Sequence, residues 1–242
     1  MPSSIITVKN LVKKYGSFEA VKGISFDVQE GEIFGLLGPN GAGKSTTLEI
    51  IETLRQKTSG EVMVDGFNLD KNPNEIKRII GVQLQTSGYY PGLNLVQLIE
   101  LFCGLYNQQV DAMELLDSVN LREKAKAQVK ELSGGQRQRF SVATTLINKP
   151  RIIFLDEPTT GLDPQARRSL WELIRNIREK GTTVIITTHY MDEAEYCDRV
   201  SIMVDGRIEA LDSPANLKKQ YQAKNMDEVF QQLARKAKRV DS

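Results

Sequence analysis

The chain has no run of apolar residues approaching the ~20 needed to span a bilayer. Its opening stretch, MPSSIITVKN, lacks the basic start and apolar core of a signal peptide. If this protein serves a membrane process, the sequence predicts that it works from the cytoplasmic side with a separate spanning partner. Cysteine is scarce: Cys103 and Cys197 lie far apart, with no metal-ligand spacing, and are expected to be buried free thiols in a reducing compartment. Histidine occurs once, at His189. Charge of one sign is not in excess either. Lys+Arg 32 against Asp+Glu 31 leaves a net +1, so there is no global basic field of the kind that marks nucleic-acid binders, and no nucleic-acid partner is expected. Heptad runs, internal repeats and low-complexity tracts are also missing.

What is present is the pattern of one α/β domain of 242 residues, long enough to bury a substantial core. Ile5–Val8 and the alternating Ile24–Val28 read as strands. Ile33–Leu37 is a short apolar run that ends at Gly38, as a buried strand feeding a loop does, and a helix from Lys44 to about Leu54 is predicted after it. Glu61–Val64 with Asp65-Gly66 reads as a strand and turn. From Leu93 to about Lys130 the apolar spacing turns helical, predicting a helical insert that forms a second lobe. Further buried-type strands are predicted at Arg151–Leu155 and Thr183–Thr187, with a helix from about Pro164 to Lys180 between them and Gly181 as its C-cap. Val200–Val204 and Arg207-Ile208 flank the hairpin signal Asp205-Gly206. The tail from Pro214 is helical and charged. Short buried strands alternating with helices predict a largely parallel sheet covered by helices.

Two short stretches carry chemistry. Gly38-Pro39-Asn40-Gly41-Ala42-Gly43-Lys44-Ser45, followed by Thr46, fits G-x-x-x-x-G-K-[ST] between a strand and a helix. Glycines let the backbone curl its N–H groups onto phosphates, and the helix N-terminus adds its positive end. Lys44 can reach the β- and γ-phosphates, and the Ser45 hydroxyl can ligate Mg²⁺. The second stretch, Arg151–Leu155, delivers Asp156 and Glu157 at the C-terminal end of a strand, where ligands of parallel sheets sit. Adjacent strand residues point to opposite sides, so the two acids are expected to take different roles: Asp156 on Mg²⁺, Glu157 as general base for the attacking water.

Leu132-Ser133-Gly134-Gly135-Gln136 precedes a predicted helix, with Ser133 as N-cap and two glycines exposing N–H groups at its positive end. LSGGQ between a phosphate loop and an acid pair resembles the signature of ATP-binding cassette (ABC) ATPases, and the resemblance runs from Tyr15 to about Leu217. It implies that two cassettes pack head to tail, so that Ser133, Gly134, Gly135 and Gln136 serve ATP held by a second chain. It further implies that Tyr15 stacks on adenine, that Gln85 senses Mg²⁺ and the water, that Asp163 crosses the dimer interface and that His189 contacts the γ-phosphate. Gln83 shares a strand face with Gln85, so that assignment rests on the spacing from Gly81.

Together these features imply an α/β fold: a P-loop NTPase core with a mainly parallel sheet flanked by helices, an N-terminal antiparallel β subdomain and a helical signature subdomain. The expected layout of the single domain is 1–84 and 151–213 for the core, 85–150 for the helical part and 214–242 for the tail. The implied function is an ATP-hydrolysing transporter subunit, with ATP and Mg²⁺ as cofactors, a polytopic membrane permease and a second cassette as partners, and a peripheral place on the cytoplasmic face of the cell membrane. Ile80–Gln85, Thr188–Glu195 and Met226–Phe230 resemble the branch that drives drug, antibiotic, polysaccharide or lipid exporters. An importer cassette and a soluble ATPase without a membrane partner are the alternatives. Tyr89, Tyr90, Leu93, Phe102 and Tyr106 are candidates to line a groove for a helix of the permease, with the lobe's own core as the competing reading. The basic tail residues Arg235, Lys236, Lys238 and Arg239 are candidates for a solvated face or a membrane-surface contact.

Overall fold

The computed structural model describes residues 3–83 and 88–240, with side chains to residue 235. Its elements are β1 (Ser4–Tyr15), β2 (Phe18–Gln29), β3 (Ile33–Leu37), α1 (Lys44–Ile51), β4 (Ser59–Val64), β5 (Phe67–Asn68), α2 (Pro73–Ile79) and β6 (Ile80–Gln83). There follow α3 (Leu95–Tyr106), α4 (Ala112–Ser118), α5 (Gly134–Thr145), β7 (Ile152–Asp156), α6 (Pro164–Glu179), β8 (Thr183–Thr188), β9 (Arg199–Val204), β10 (Arg207–Asp212), α7 (Pro214–Gln220) and α8 (Met226–Val240).

The strands form two sheets. An antiparallel one runs β2-β1-β4-β5, and a six-stranded one runs β10-β9-β3-β8-β7-β6. In the larger sheet β9, β3, β8, β7 and β6 are mutually parallel, and only the edge strand β10 is antiparallel. The mainly parallel core and the N-terminal antiparallel sheet predicted from sequence are therefore both present.

The continuous apolar runs have a direct physical cause. In β3, Phe34 and Leu36 pack toward α1 and the antiparallel sheet, with Phe26 stacked on Phe34 at 5.5 Å. Ile33 and Leu37 pack on the opposite face, in the core that also holds Phe140 of α5 and Trp171 of α6. A strand covered on both faces has no polar side to show, which is why alternation is lost. α6 keeps its one-sided pattern, burying Leu170, Trp171, Leu173, Ile174 and Ile177, and stops at Gly181 with φ 96°, as predicted.

The helical stretch is shorter-jointed than expected. Between 93 and 131 the chain makes α3, α4 and two single 3₁₀ turns, Arg122–Lys124 and Val129–Glu131. α2 and β6 add a helix–strand step before it. Of the two thiols, Cys197 is buried, but Cys103 is only partly so, because it lies on the flank of α3 rather than on its inner face. Among the described residues no helix is long and apolar enough to cross a membrane.

Candidate active site

The site assembles at the C-terminal ends of three adjacent strands. The parallel register sets Leu37 of β3 beside Thr188 of β8, and Thr187 beside Asp156 of β7. The residues that follow, Gly38, His189 and Glu157, are thereby brought to one edge of the sheet. The Gly38 amide donates to the Thr188 carbonyl at 3.3 Å, and the Glu157 amide donates to the Thr187 hydroxyl at 3.0 Å.

After β3 the chain curls through Gly38, Gly41 and Gly43, with φ of 156°, 83° and 97°, and Gly43 opens α1. Lys44 is the first helical residue and is 4% exposed, with its ammonium turned back over the loop. Its Nζ donates to the Gly38 carbonyl at 2.8 Å and the Pro39 carbonyl at 3.1 Å, and stands 3.6 Å from Glu157 Oε1. Burial lowers its pKa, while the Glu157 charge opposes that fall.

Asp156 and Glu157 do not diverge as adjacent strand residues would. Asp156 ends β7, and Glu157 leaves the strand with φ 46°, a left-handed conformation uncommon for a side-chain-bearing residue. The two carboxylates meet neighbouring residues at the start of α1, Glu157 at Lys44 and Asp156 at Ser45. Asp156 Oδ1 accepts from Ser45 Oγ at 3.2 Å and from the Thr187 hydroxyl. Glu157 Oε2 lies 3.2 Å from His189 Nδ1 and accepts from Thr160 Oγ1 at 3.3 Å. Burial raises the Asp156 pKa, and its two hydroxyl donors work against that rise. The paired hydroxyl and carboxylate of Ser45 and Asp156 are hard oxygen ligands of the kind Mg²⁺ takes when phosphates and water complete its shell. No cluster of three or more His, Cys, Asp or Glu fit to hold a metal by itself occurs among the described residues.

Beside the loop is a cavity of about 500 Å³ lined by Tyr15, Phe18, Ala20, Asn40, Gly41, Gly43, Lys44, Ser45, Thr46 and Glu157. Tyr15 is 41% exposed and Phe18 61%, so two aromatic faces stand open at its mouth. Lys13 Nζ and Arg55 Cζ lie 4.9 and 5.5 Å from the Tyr15 ring centre. Ala42 is buried beneath the loop.

The remaining candidates lie elsewhere. Ser133, Gly134, Gly135 and Gln136 do not line this cavity. Ser133 caps α5: its hydroxyl accepts from the Gln136 amide at 3.3 Å, and Gln136 Oε1 accepts from the Ser133 amide at 2.9 Å. Gly134 is exposed, but Gly135 is buried, and a Cβ there would stand 2.8 Å from Ala166 Cβ. Close packing of α5 on α6 is thus a demand on Gly135 that the sequence reading missed. Asp163 caps α6, accepting from the Gln165 and Ala166 amides at 2.9 Å. Gln83 is buried at the end of β6, and Gln85 lies outside the described residues. Thr187 and Phe18 were also missed. Phe18 shows as an aromatic three residues after Tyr15, whereas Thr187 is found only through the strand register.

In the helical part, Tyr89 packs on Phe102 at 6.5 Å and Phe140 at 5.3 Å, so Tyr89 and Phe102 belong to that part's own core. Tyr89, Tyr90 and Leu93 still line a cavity of about 320 Å³ with Val129, Lys130 and Arg137, whereas Phe102 and Tyr106 do not.

Residues 21–160 match the family model described as ABC transporter. The chain is 41% identical over 224 residues to the Probable multidrug ABC transporter ATP-binding protein YbhF of Escherichia coli (strain K12), a match that takes in 90% of this chain and 38% of that protein. It is 38% identical over 219 residues to the Linearmycin resistance ATP-binding protein LnrL of Bacillus subtilis (strain 168), with 88% and 70% covered. The chain thus spans well under half the length of YbhF and about two thirds of that of LnrL. Among solved structures, the dimeric post-hydrolysis state of the ATP-binding cassette MJ0796 bound to ADP and Pi superposes with a TM-score of 0.76 at 31% identity, covering 86% of this chain and 98% of that one. With the phosphate loop, the acid pair and the signature helix in their places, this chain belongs to the ABC transporter family as an ATP-binding cassette.

Proposed function

We propose that this chain binds and hydrolyses ATP as the motor subunit of a transporter, working as one half of a cassette dimer on the cytoplasmic face of the cell membrane, with a separate membrane-spanning permease. The observation that carries this reading is the convergence of Lys44, Asp156, Glu157 and His189 at one sheet edge, within 3.6 Å along the chain of contacts Lys44–Glu157–His189.

In this reading the triphosphate takes over the ammonium bonds that Lys44 makes to its own loop, and the amides of Gly41 to Ser45 hold the β-phosphate. Ser45 and Asp156 would hold Mg²⁺, with Gln85 as a further ligand; the ion would supply charge neutralisation to the phosphates. Glu157 accepts the proton of the attacking water, and His189 holds the γ-phosphoryl oxygens. The left-handed turn at Glu157 serves this by aiming the base at the phosphate end of the cavity. Tyr15 carries the base of the nucleotide, and Phe18 adds a second aromatic face.

The signature residues do not line the cavity beside the loop of their own chain, which favours a site completed by a second copy: Ser133, Gly134, Gly135 and Gln136 close over the partner's γ-phosphate, and Asp163 sits at the shared interface. Gln136 and Asp163 act there from capping positions, and Gly135 acts mainly by letting α5 close on α6. The cavity at Tyr89, Tyr90 and Leu93 is the proposed seat for a helix of the permease. The names of the multidrug and linearmycin-resistance relatives favour export.

Glu157→Gln tests the reading. It is expected to keep ATP affinity, lose turnover by about 10²–10⁴-fold, and elute as a dimer on size-exclusion chromatography with ATP. A variant that stays monomeric with ATP bound would overturn the two-chain site.

A further inference from the structure

Behind His189 lies a cluster that the mechanism above does not use. Arg167, in the first turns of α6, brings Nε to 3.7 Å from Glu193 Oε1 and Nη1 to 3.7 Å from Asp192 Oδ2. Its guanidinium carbon stands 4.5 Å from the centre of the Tyr190 ring. That ring lies 4.1 Å, centre to centre, from the His189 imidazole at an interplanar angle of 38°. Glu193 is wholly buried, and neither of its oxygens, nor Arg167 Nε, has a hydrogen-bond partner among the described residues.

A buried acid paired this loosely is a poor device for stability, since an apolar pair of the same volume does as well or better. What the arrangement does provide is direction. One planar cation is fixed between two acids on the segment after His189 and stacks on the ring that packs against His189. Its base is rigid: Ala166, the preceding residue, abuts Gly135 so closely that no Cβ fits between α5 and α6. The guanidinium is the contact that holds the Tyr190 ring on the side away from His189; without it the imidazole would be free to turn away from Glu157.

We propose that Arg167 is a positioning residue for His189, acting through Tyr190 and the buried Glu193 to aim the imidazole at the γ-phosphate. This rests on the reading of His189 as the γ-phosphate contact, and the experiment separates the two.

His189 is the only histidine in the chain, so tag-free protein gives a single set of imidazole resonances. In Arg167→Ala these are expected to shift and broaden. Steady-state hydrolysis should lose roughly tenfold or more in kcat, with KM for ATP within about threefold, because Arg167 does not touch the nucleotide. Arg167→Lys keeps a charge for Glu193 but not the planar stack; it should fold like the wild type and recover only part of kcat, which keeps the test open if the alanine variant is unstable. Arg167→Ala combined with His189→Ala should be no slower than His189→Ala alone. Unmoved imidazole resonances, or losses that multiply in the double variant, would overturn the proposal while leaving the role of His189 standing. If His189→Ala alone hydrolyses ATP at the wild-type rate, the γ-phosphate reading falls and takes the proposal with it.

Discussion

Gly43 carries two constraints at once. Its φ of 97° is left-handed, and a Cβ would stand 2.6 Å from the Ala20 carbonyl oxygen, where backbone meets backbone. Gly41 has a similar φ of 83° but opens onto free space. Gly41→Ala should therefore cost about 1 kcal/mol, from conformational strain alone. Gly43→Ala should cost about 3 kcal/mol or more, because strand β2 must also shift. Urea unfolding of the two variants checks the order, and an equal cost would contradict the packing argument. The loop motif was legible in the sequence because glycine at fixed spacing has a backbone cause. The left-handed turn at Glu157 was not: nothing in Leu155-Asp156-Glu157-Pro158 signals that the chain leaves the strand one residue before the proline, so alternation predicted diverging acids where the structure has converging ones.

The elements show the same division. β3, β7 and β8 were read within a residue or so of their observed ends because burial on both faces writes itself as an unbroken apolar run. β1 and β2 reach 12 residues each, well past their apolar cores, because bulges and exposed ends carry polar side chains that hide the pairing. α5 was read to begin near Arg137, but the Ser133–Gln136 capping box starts it at Gly134. Ser133→Ala should cost about 1 kcal/mol in thermal or urea unfolding. Its effect on hydrolysis should be far larger than that on stability if the hydroxyl also serves the partner's nucleotide. At the far end of α1, Glu52 is almost fully buried, and its Oε1 has no hydrogen-bond partner among the described residues. Burial, reinforced by the charge of Asp156, pushes its pKa from 4.5 up to about 8. The folded state then holds a proton that the unfolded chain releases near 4.5. The contribution of this group is present below that pH, declines by up to about 1.4 kcal/mol per pH unit as pH rises, and is lost above 8. Glu52→Gln has nothing to titrate, so its stability relative to the wild type should climb between pH 5 and 8.5. A gap between the two proteins that does not change with pH would remove the acid from this account.

At the scale of the whole molecule, the strand order places the phosphate loop on a central strand with acid and histidine strands to one side, and the signature residues lie outside the cavity beside that loop. The motifs were legible one by one, but their register was not, and it is the register that turns separated stretches into a site. The measurement that bears most directly on the account is calorimetric titration of ATP with Mg²⁺ into the wild type and Lys44→Ala. Saturable binding at one site per chain in the wild type, weakened at least about tenfold in Lys44→Ala, is the predicted result. Absence of binding to the wild type, or equal affinity in the two proteins, would contradict it.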